Sequence, residues 1–163
     1  MPAIDRTAHG ALRPYVPEPR ITNLPTSIPA NLSAPGSYRA LLDTMWQRSA
    51  TFRRQCRRIA NTPHLEVRLR AIAGPPGRIR ARAQIVRGAV GFRAVIDVLT
   101  LEDPAELIAH ELEHVIEQLD GVDLASMAEA SASSVRMAGD AFETMRAVRA
   151  GRAVAADMRQ GGG

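Results

Sequence analysis

The chain has 163 residues, 45% of them hydrophobic, and a formal net charge of +4 in which all 21 basic side chains are arginine. That length suits one domain with a modest core, and no apolar run is long enough to span a bilayer. The single cysteine, Cys56, excludes an internal disulfide and a cysteine-rich zinc ribbon, and aromatic residues at 4% leave the arginines without the stacking partners of a nucleic-acid interface.

The first residues carry no apolar segment of signal-peptide type, so a cytoplasmic location is expected and secretion is not excluded. Residues 13 to 36, RPYVPEPRITNLPTSIPANLSAPG, hold six prolines. Proline at that density removes backbone donors and blocks helix, so residues 1–36 read as an extended arm. Ser37 then stands as an N-cap for one helix running to Ala60. Leu41, Leu42, Met45, Trp46, Phe52 and Ile59 recur along it at helical spacing, and Asn61-Thr62-Pro63 ends it. Cys56 falls inside this helix and reads as a small core residue, with a zinc-blocking thiolate as the second reading.

Beyond Pro63 the period changes to two. Leu65, Val67 and Leu69 alternate with charged residues, GPPG (74–77) is a loop, and RIRARAQIVR alternates arginine with smaller residues. GAVG then turns into the more apolar FRAVIDVLTL. Three strands in succession separated by turn residues lead to an α+β class, with a small, mostly antiparallel three-stranded sheet packed on helices.

Asp103, Pro104 and Glu106 form a helix start: a capping side chain, proline at the first helical position and an acid in the first turn. At 100° per residue Ile108, Leu112, Val115, Ile116 and Leu119 make one apolar stripe. Glu106, Glu113 and Glu117 fall on a second face, read as solvent. His110, Glu111, His114 and Gln118 occupy a third face, which suits the rim of a cleft. Residues i and i+4 sit one turn apart on one side of a helix, so His110 and His114 can converge on a single tetrahedral ion. Glu111 lies too far round to be a natural third ligand and is placed to accept a proton from water polarised by that ion.

Residues 124 to 158 read as one long helix with Leu124, Met127, Val135, Phe142, Met145 and Val148 on its apolar side. Small residues, Gly139 and Ala147 among them, flank Glu143 and let two helices approach closely. Residues 37–158 therefore form the domain, and 159–163 a tail.

His110-Glu111-Leu112-Glu113-His114 resembles the active-site helix of the zincin metallopeptidases, with the pattern His-Glu-x-x-His. Over residues 64 to 158 the chain is most similar to minimal single-domain gluzincins. The resemblance implies bound Zn2+, a hydrolase acting on a peptide or protein substrate, and a third ligand glutamate from a downstream helix. Glu143 is assigned that role, with Glu129 as the rival on the same face. The metzincin pattern would instead put a ligand at Asp120, but Glu117 stands where that pattern has glycine. Gluzincins often carry an aspartate four residues after the ligand glutamate. Ala147 stands there, so Asp140 is the candidate to orient a histidine, with a role as a helix-face partner of Arg136 equally open. Arg136 and Arg146 are candidates to stabilise an oxyanion, each also readable as a solvated arginine. No tyrosine or histidine follows position 114, so the side-chain electrophiles of larger zincins are missing.

The resemblance also implies that a cleft-bordering strand, FRAVIDVL or RARAQIVR, binds extended peptide by strand addition. The proline-rich arm is a candidate to lie in that cleft and hold the enzyme latent, beside the simpler reading of a packing or floppy arm. Neither a specific nucleic-acid partner nor a membrane span is expected, and oligomeric state is undetermined. The alternative function is a zinc- or peptide-binding module that kept the scaffold without turnover. A third is an arginine-rich adaptor for nucleic acid or a membrane surface, in which the motif is incidental.

Overall fold

A computed structural model describes residues 25–73, 80–100, 103–122, 135–138 and 141–160. Its α+β architecture is a four-stranded sheet with helices against one face. In chain order the elements are β1 (Leu32–Ser33), α1 (Gly36–Arg48), α2 (Ala50–Ala60), β2 (Leu65–Ile72), β3 (Ala81–Arg87) and β4 (Phe92–Leu99). They continue with α3 (Pro104–Leu119), β5 (Val135–Ala138), β6 (Ala141–Thr144) and α4 (Met145–Gln160).

The sheet order is β1-β2-β4-β3. β1 runs parallel to β2, and β2 parallel to β4; only β3 and β4 are antiparallel. The sheet is thus mixed and not mostly antiparallel. β4 is the most apolar strand, with Ala94, Ile96, Val98 and Leu99 all buried, and burial drives it to the interior between β2 and β3. Inward residues from β2 (Leu65, Val67, Leu69) and β4 join Phe52, Ile59, Ile108, Leu112 and Val115 in one core. On the opposite face Asp97 accepts from Arg70 Nε at 2.6 Å and Arg70 Nη2 at 2.9 Å, with Arg82 Nη2 at 3.5 Å. The register sets both arginines beside it, one on each neighbouring strand.

Part of the proline-rich arm belongs to the fold. Leu32 is buried, and Asn31 Nδ2 donates to the carbonyls of Ile59 (2.9 Å) and Leu65 (3.0 Å). The helix expected over 37–60 is two helices. Ser49 has extended backbone, and its hydroxyl accepts from the Phe52 N–H at 3.3 Å, capping α2. Arg53 Nη1 reaches back to the carbonyls of Trp46 (2.8 Å) and Gln47 (2.9 Å), which the chain break leaves without helical donors. The cap of α1 is Pro35, so Ser37 lies one residue inside. Cys56 is fully buried and its thiol is pushed up to about 12, which fits a core residue and not a thiolate ligand.

Of the helix expected over residues 124 to 158, the part from Met145 is helical and runs on to Gln160. Val135–Ala138 and Ala141–Thr144 pair instead as β5 and β6 with Arg136 opposite Glu143, and 124–134 lie outside the described residues. Among the described residues no helix is long and apolar enough to cross a membrane.

Candidate metal centre

α3 forms where the capping signals put it. The Asp103 carboxylate accepts from the N–H groups of Ala105 (3.1 Å) and Glu106 (3.4 Å), Pro104 needs no donor at the first turn, and Gly121 takes positive φ beyond the end. The helix is held on both sides. α4 lies against it so closely that a Cβ added at Gly151 would stand 3.0 Å from the Glu106 carbonyl oxygen and 3.3 Å from His110 Cβ. Ala147, Ala150 and Ala155 on the same helix are buried, so the small-residue approach inferred near Glu143 is made by α4 one and two turns further on.

The two histidines of the motif face each other. His110 Nε2 and His114 Nε2 are 3.1 Å apart, and the rings are crossed at 77°. His114 Nδ1 donates to Glu117 Oε2 at 2.9 Å, and Thr144 Oγ1 donates to Glu117 Oε1 at 2.7 Å. Burial pushes the Glu117 carboxyl up, but the bonds from His114 and Thr144 and the nearby Arg146 outweigh it, leaving the group below its ordinary value. An ionised carboxylate only accepts hydrogen bonds, so His114 carries a proton on Nδ1 and turns its Nε2 toward His110. His110 is held neutral to about 4, by burial first and then by His114 and Arg80, against the opposing charges of Glu143 and Glu117.

Two imidazole nitrogens bound to one tetrahedral zinc at about 2.0–2.1 Å lie about 3.4 Å apart, close to the separation between these two. The donor type, the neutral His110 ring and the proton held on His114 Nδ1 fit such an ion. Among the described residues no three His, Cys, Asp or Glu side chains form a closed metal cluster. The carboxylate candidate is Glu143, exposed at the end of β6, whose charge is felt by His110. It lies on a strand and not on a helix. Thr144, next to it, fixes that junction: its hydroxyl accepts from the Ala147 N–H at 3.0 Å, capping α4, while donating to Glu117.

Glu111 is buried on the same helix. Burial pushes its carboxyl above the usual range, partly offset by the neighbouring His114 and by the Ala83 N–H that donates to it. Ala83 lies on β3, the outer strand of the sheet. Leu99 N–H donates to the Arg80 carbonyl, and Gly88 N–H to the Gly91 carbonyl, so even-numbered β3 residues bond to β4 and odd ones turn their backbone groups to the free edge. Of the two strands considered for the cleft border, β3 has that edge and β4 is internal.

The remaining candidates separate. Asp120 is committed at Oδ1 to Arg58 and at Oδ2 to Arg146, each at 3.0 Å. Arg146 also donates through Nε to Glu113 at 2.6 Å, so two of its three nitrogens are held by acids of α3 and its C-terminal end. Glu129 and Asp140 lie outside the described residues. Glu113 and Glu117, read as solvent-facing, are buried at 1% and 3% exposure. Glu113 also accepts from Gln55 Nε2 at 2.8 Å. Sequence reasoning missed Glu117 as the partner of His114; the i,i+3 spacing was the available signal. Gln118 is exposed, whereas Glu111 and His114 on the face it was read to share are buried.

No protein-family model matches this chain, and neither a curated protein nor a solved structure matches it.

Proposed function

We propose that this chain is a zinc-dependent metallopeptidase that hydrolyses peptide bonds, in the manner of a minimal gluzincin. The observation that carries the reading is the facing pair of Nε2 atoms at 3.1 Å, with His114 fixed as the Nδ1–H tautomer by a buried, ionised Glu117. A hydrogen bond between the rings alone gives no reason to bury a carboxylate behind one of them.

In this reading His110, His114 and Glu143 would hold the ion. When bound, zinc would polarise a substrate carbonyl and lower the pKa of water. Glu117 holds the proton at His114 Nδ1, which would leave the Nε2 lone pair for the ion. Glu111 accepts the proton released by the attacking water and delivers it to the leaving amine. Its burial raises its proton affinity toward the range a general base needs. The free edge of β3 offers backbone groups to an extended peptide beside Glu111, and the peptide would compete with that carboxylate for the Ala83 N–H. The N-terminal arm is a candidate occupant of this edge in a latent form.

A second reading, a metal- or peptide-binding module without turnover, is favoured by the pairing of Arg146, a candidate electrophile, with Glu113 and Asp120. Elemental analysis of wild type, His114→Ala, Glu143→Ala and Glu111→Gln, with peptide-library cleavage, separates the two. One zinc per chain, lost in the first two variants, with cleavage lost in Glu111→Gln alone among metal-bearing forms, supports the peptidase. Zinc without cleavage supports the binding module. A wild type that takes up no zinc overturns the peptidase and the metal-binding module alike.

A further inference from the structure

Between α2 and α4, a groove of about 710 Å3 is lined by Thr51 and Arg54 from α2 and by Met145, Arg146 and Arg149 from α4, with Glu113 of α3 on its wall. Three guanidinium groups thus share one concavity with one carboxylate. That carboxylate is already saturated: Oε1 takes Arg146 Nε at 2.6 Å, and Oε2 takes Gln55 Nε2 at 2.8 Å and Arg54 Nη2 at 3.4 Å.

The donors left over are numerous. Among the described residues, Arg149 makes no hydrogen bond or ion pair, the second terminal nitrogen of Arg54 has no partner, and the Thr51 hydroxyl has none. Arg146 uses Nε and Nη1, leaving Nη2. Three arginines facing one carboxylate leave the lining net positive, which raises the local concentration of anions, and guanidinium forks match the oxygens of phosphate and carboxylate. The side chains of Met145, nearly half exposed, and of Ala153 add an apolar margin. The groove is far larger than a lone phosphate.

We propose that this groove is a binding site for a small, multiply charged oxyanion, a phosphate ester or polycarboxylate with a short apolar portion. The ligand bonds to Arg149, to the spare nitrogens of Arg54 and Arg146, and to the Thr51 hydroxyl. It relieves the mutual repulsion of the three arginines without displacing Glu113. This site is independent of the metal reading.

Calorimetric titration of the full chain with pyrophosphate and with citrate, at constant ionic strength, tests the proposal. Saturable binding is expected, weakened at least tenfold in Arg149→Ala and in Arg54→Ala. Arg152→Ala, an exposed arginine of α4 outside the groove, should bind as wild type does. Pyrophosphate alone binding identifies a phosphate ligand, citrate alone a carboxylate ligand, and both a site that reads charge. Heat that does not saturate, equal response to sodium chloride, or unchanged binding in Arg149→Ala overturns the site. Arg149 is exposed and unpaired, so its loss leaves folding intact.

Discussion

The buried carboxylate of Glu117 holds the Nδ1 of His114 at 2.9 Å, one helical turn away, and receives the Thr144 hydroxyl at 2.7 Å on its other oxygen. A single acid thus links the motif helix to the β6–α4 junction next to Glu143. Glu117→Gln preserves the shape but presents an amide that can bond to either tautomer of His114. Zinc affinity, read by chelator competition, is expected to fall about 10–100-fold. Thr144→Ser should retain affinity, whereas Thr144→Ala should lose part of it. Affinity unchanged in Glu117→Gln would remove the orienting role.

His110 makes the metal-free protein sensitive to mild acid. In the fold its ring stays neutral to about 4, whereas in the unfolded chain it protonates near its ordinary 6.5. Between those values the unfolded state binds more protons, so stability must decline as pH falls from about 6.5 to about 4, and the His110 contribution is flat above that window. Urea midpoints of chelated protein across this range should show a shallower decline in His110→Gln than in wild type. Parallel curves would contradict the neutral, buried ring.

Gly151 sets how near α4 comes to α3. Alanine there gains up to about 1 kcal/mol of helix propensity, but its Cβ would crowd the Glu106 carbonyl oxygen at 3.0 Å, so the net change should be close to zero. Valine adds two further methyl groups where the backbone cannot give way. It is expected to cost about 1–3 kcal/mol by chemical denaturation. Because the contact includes His110 Cβ, zinc affinity should fall with it.

Asp97 holds Arg70 and Arg82 across the outer face of the sheet. Its carboxyl lies below its ordinary 3.8, chiefly through the Arg70 hydrogen bonds, which outweigh burial, with Arg82 adding to them. A carboxyl depressed in the fold contributes stability that is complete above the unfolded value and is lost as pH falls through the folded one. Asp97→Ala should cost about 1–2 kcal/mol at neutral pH, since both arginines are half exposed and regain water. Wild type and variant should begin to converge only as pH falls below the ordinary 3.8 in acid-unfolding curves; a constant gap down to acid would contradict the pairing.

Much of the motif was legible because its determinants are local. The Asp103 cap, Pro104 and the i,i+4 spacing of His110 and His114 act within one helix, and the facing imidazoles follow from 3.6 residues per turn alone. The α+β class was legible too, since period-two runs between helical ones do not depend on which strand neighbours which. The two-helix break at Ser49 was less visible: its local signal is a serine three residues before Phe52, but the Arg53 bonds that satisfy α1 depend on how α2 turns.

Strand order, the burial of Glu113 and Glu117, and the replacement of a long helix by β5 and β6 were decided in three dimensions. Residues 124–158 are rich in alanine and methionine, which favour helix locally, and pairing between Val135–Ala138 and Ala141–Thr144 overrides that preference. The Gly139-Asp140 dipeptide between those strands is the one hairpin signal the sequence offered. A helical wheel separates apolar from polar faces but does not say what will stand opposite each face. Arg146, Gln55 and Thr144 arrive from distant parts of the chain and turn two surface-like glutamates into buried, bonded ones. By itself, then, the sequence determined the motif helix, its caps and the histidine pair. The tertiary structure decided which acids serve that pair, because burying a carboxylate depends on donors that only packing can bring.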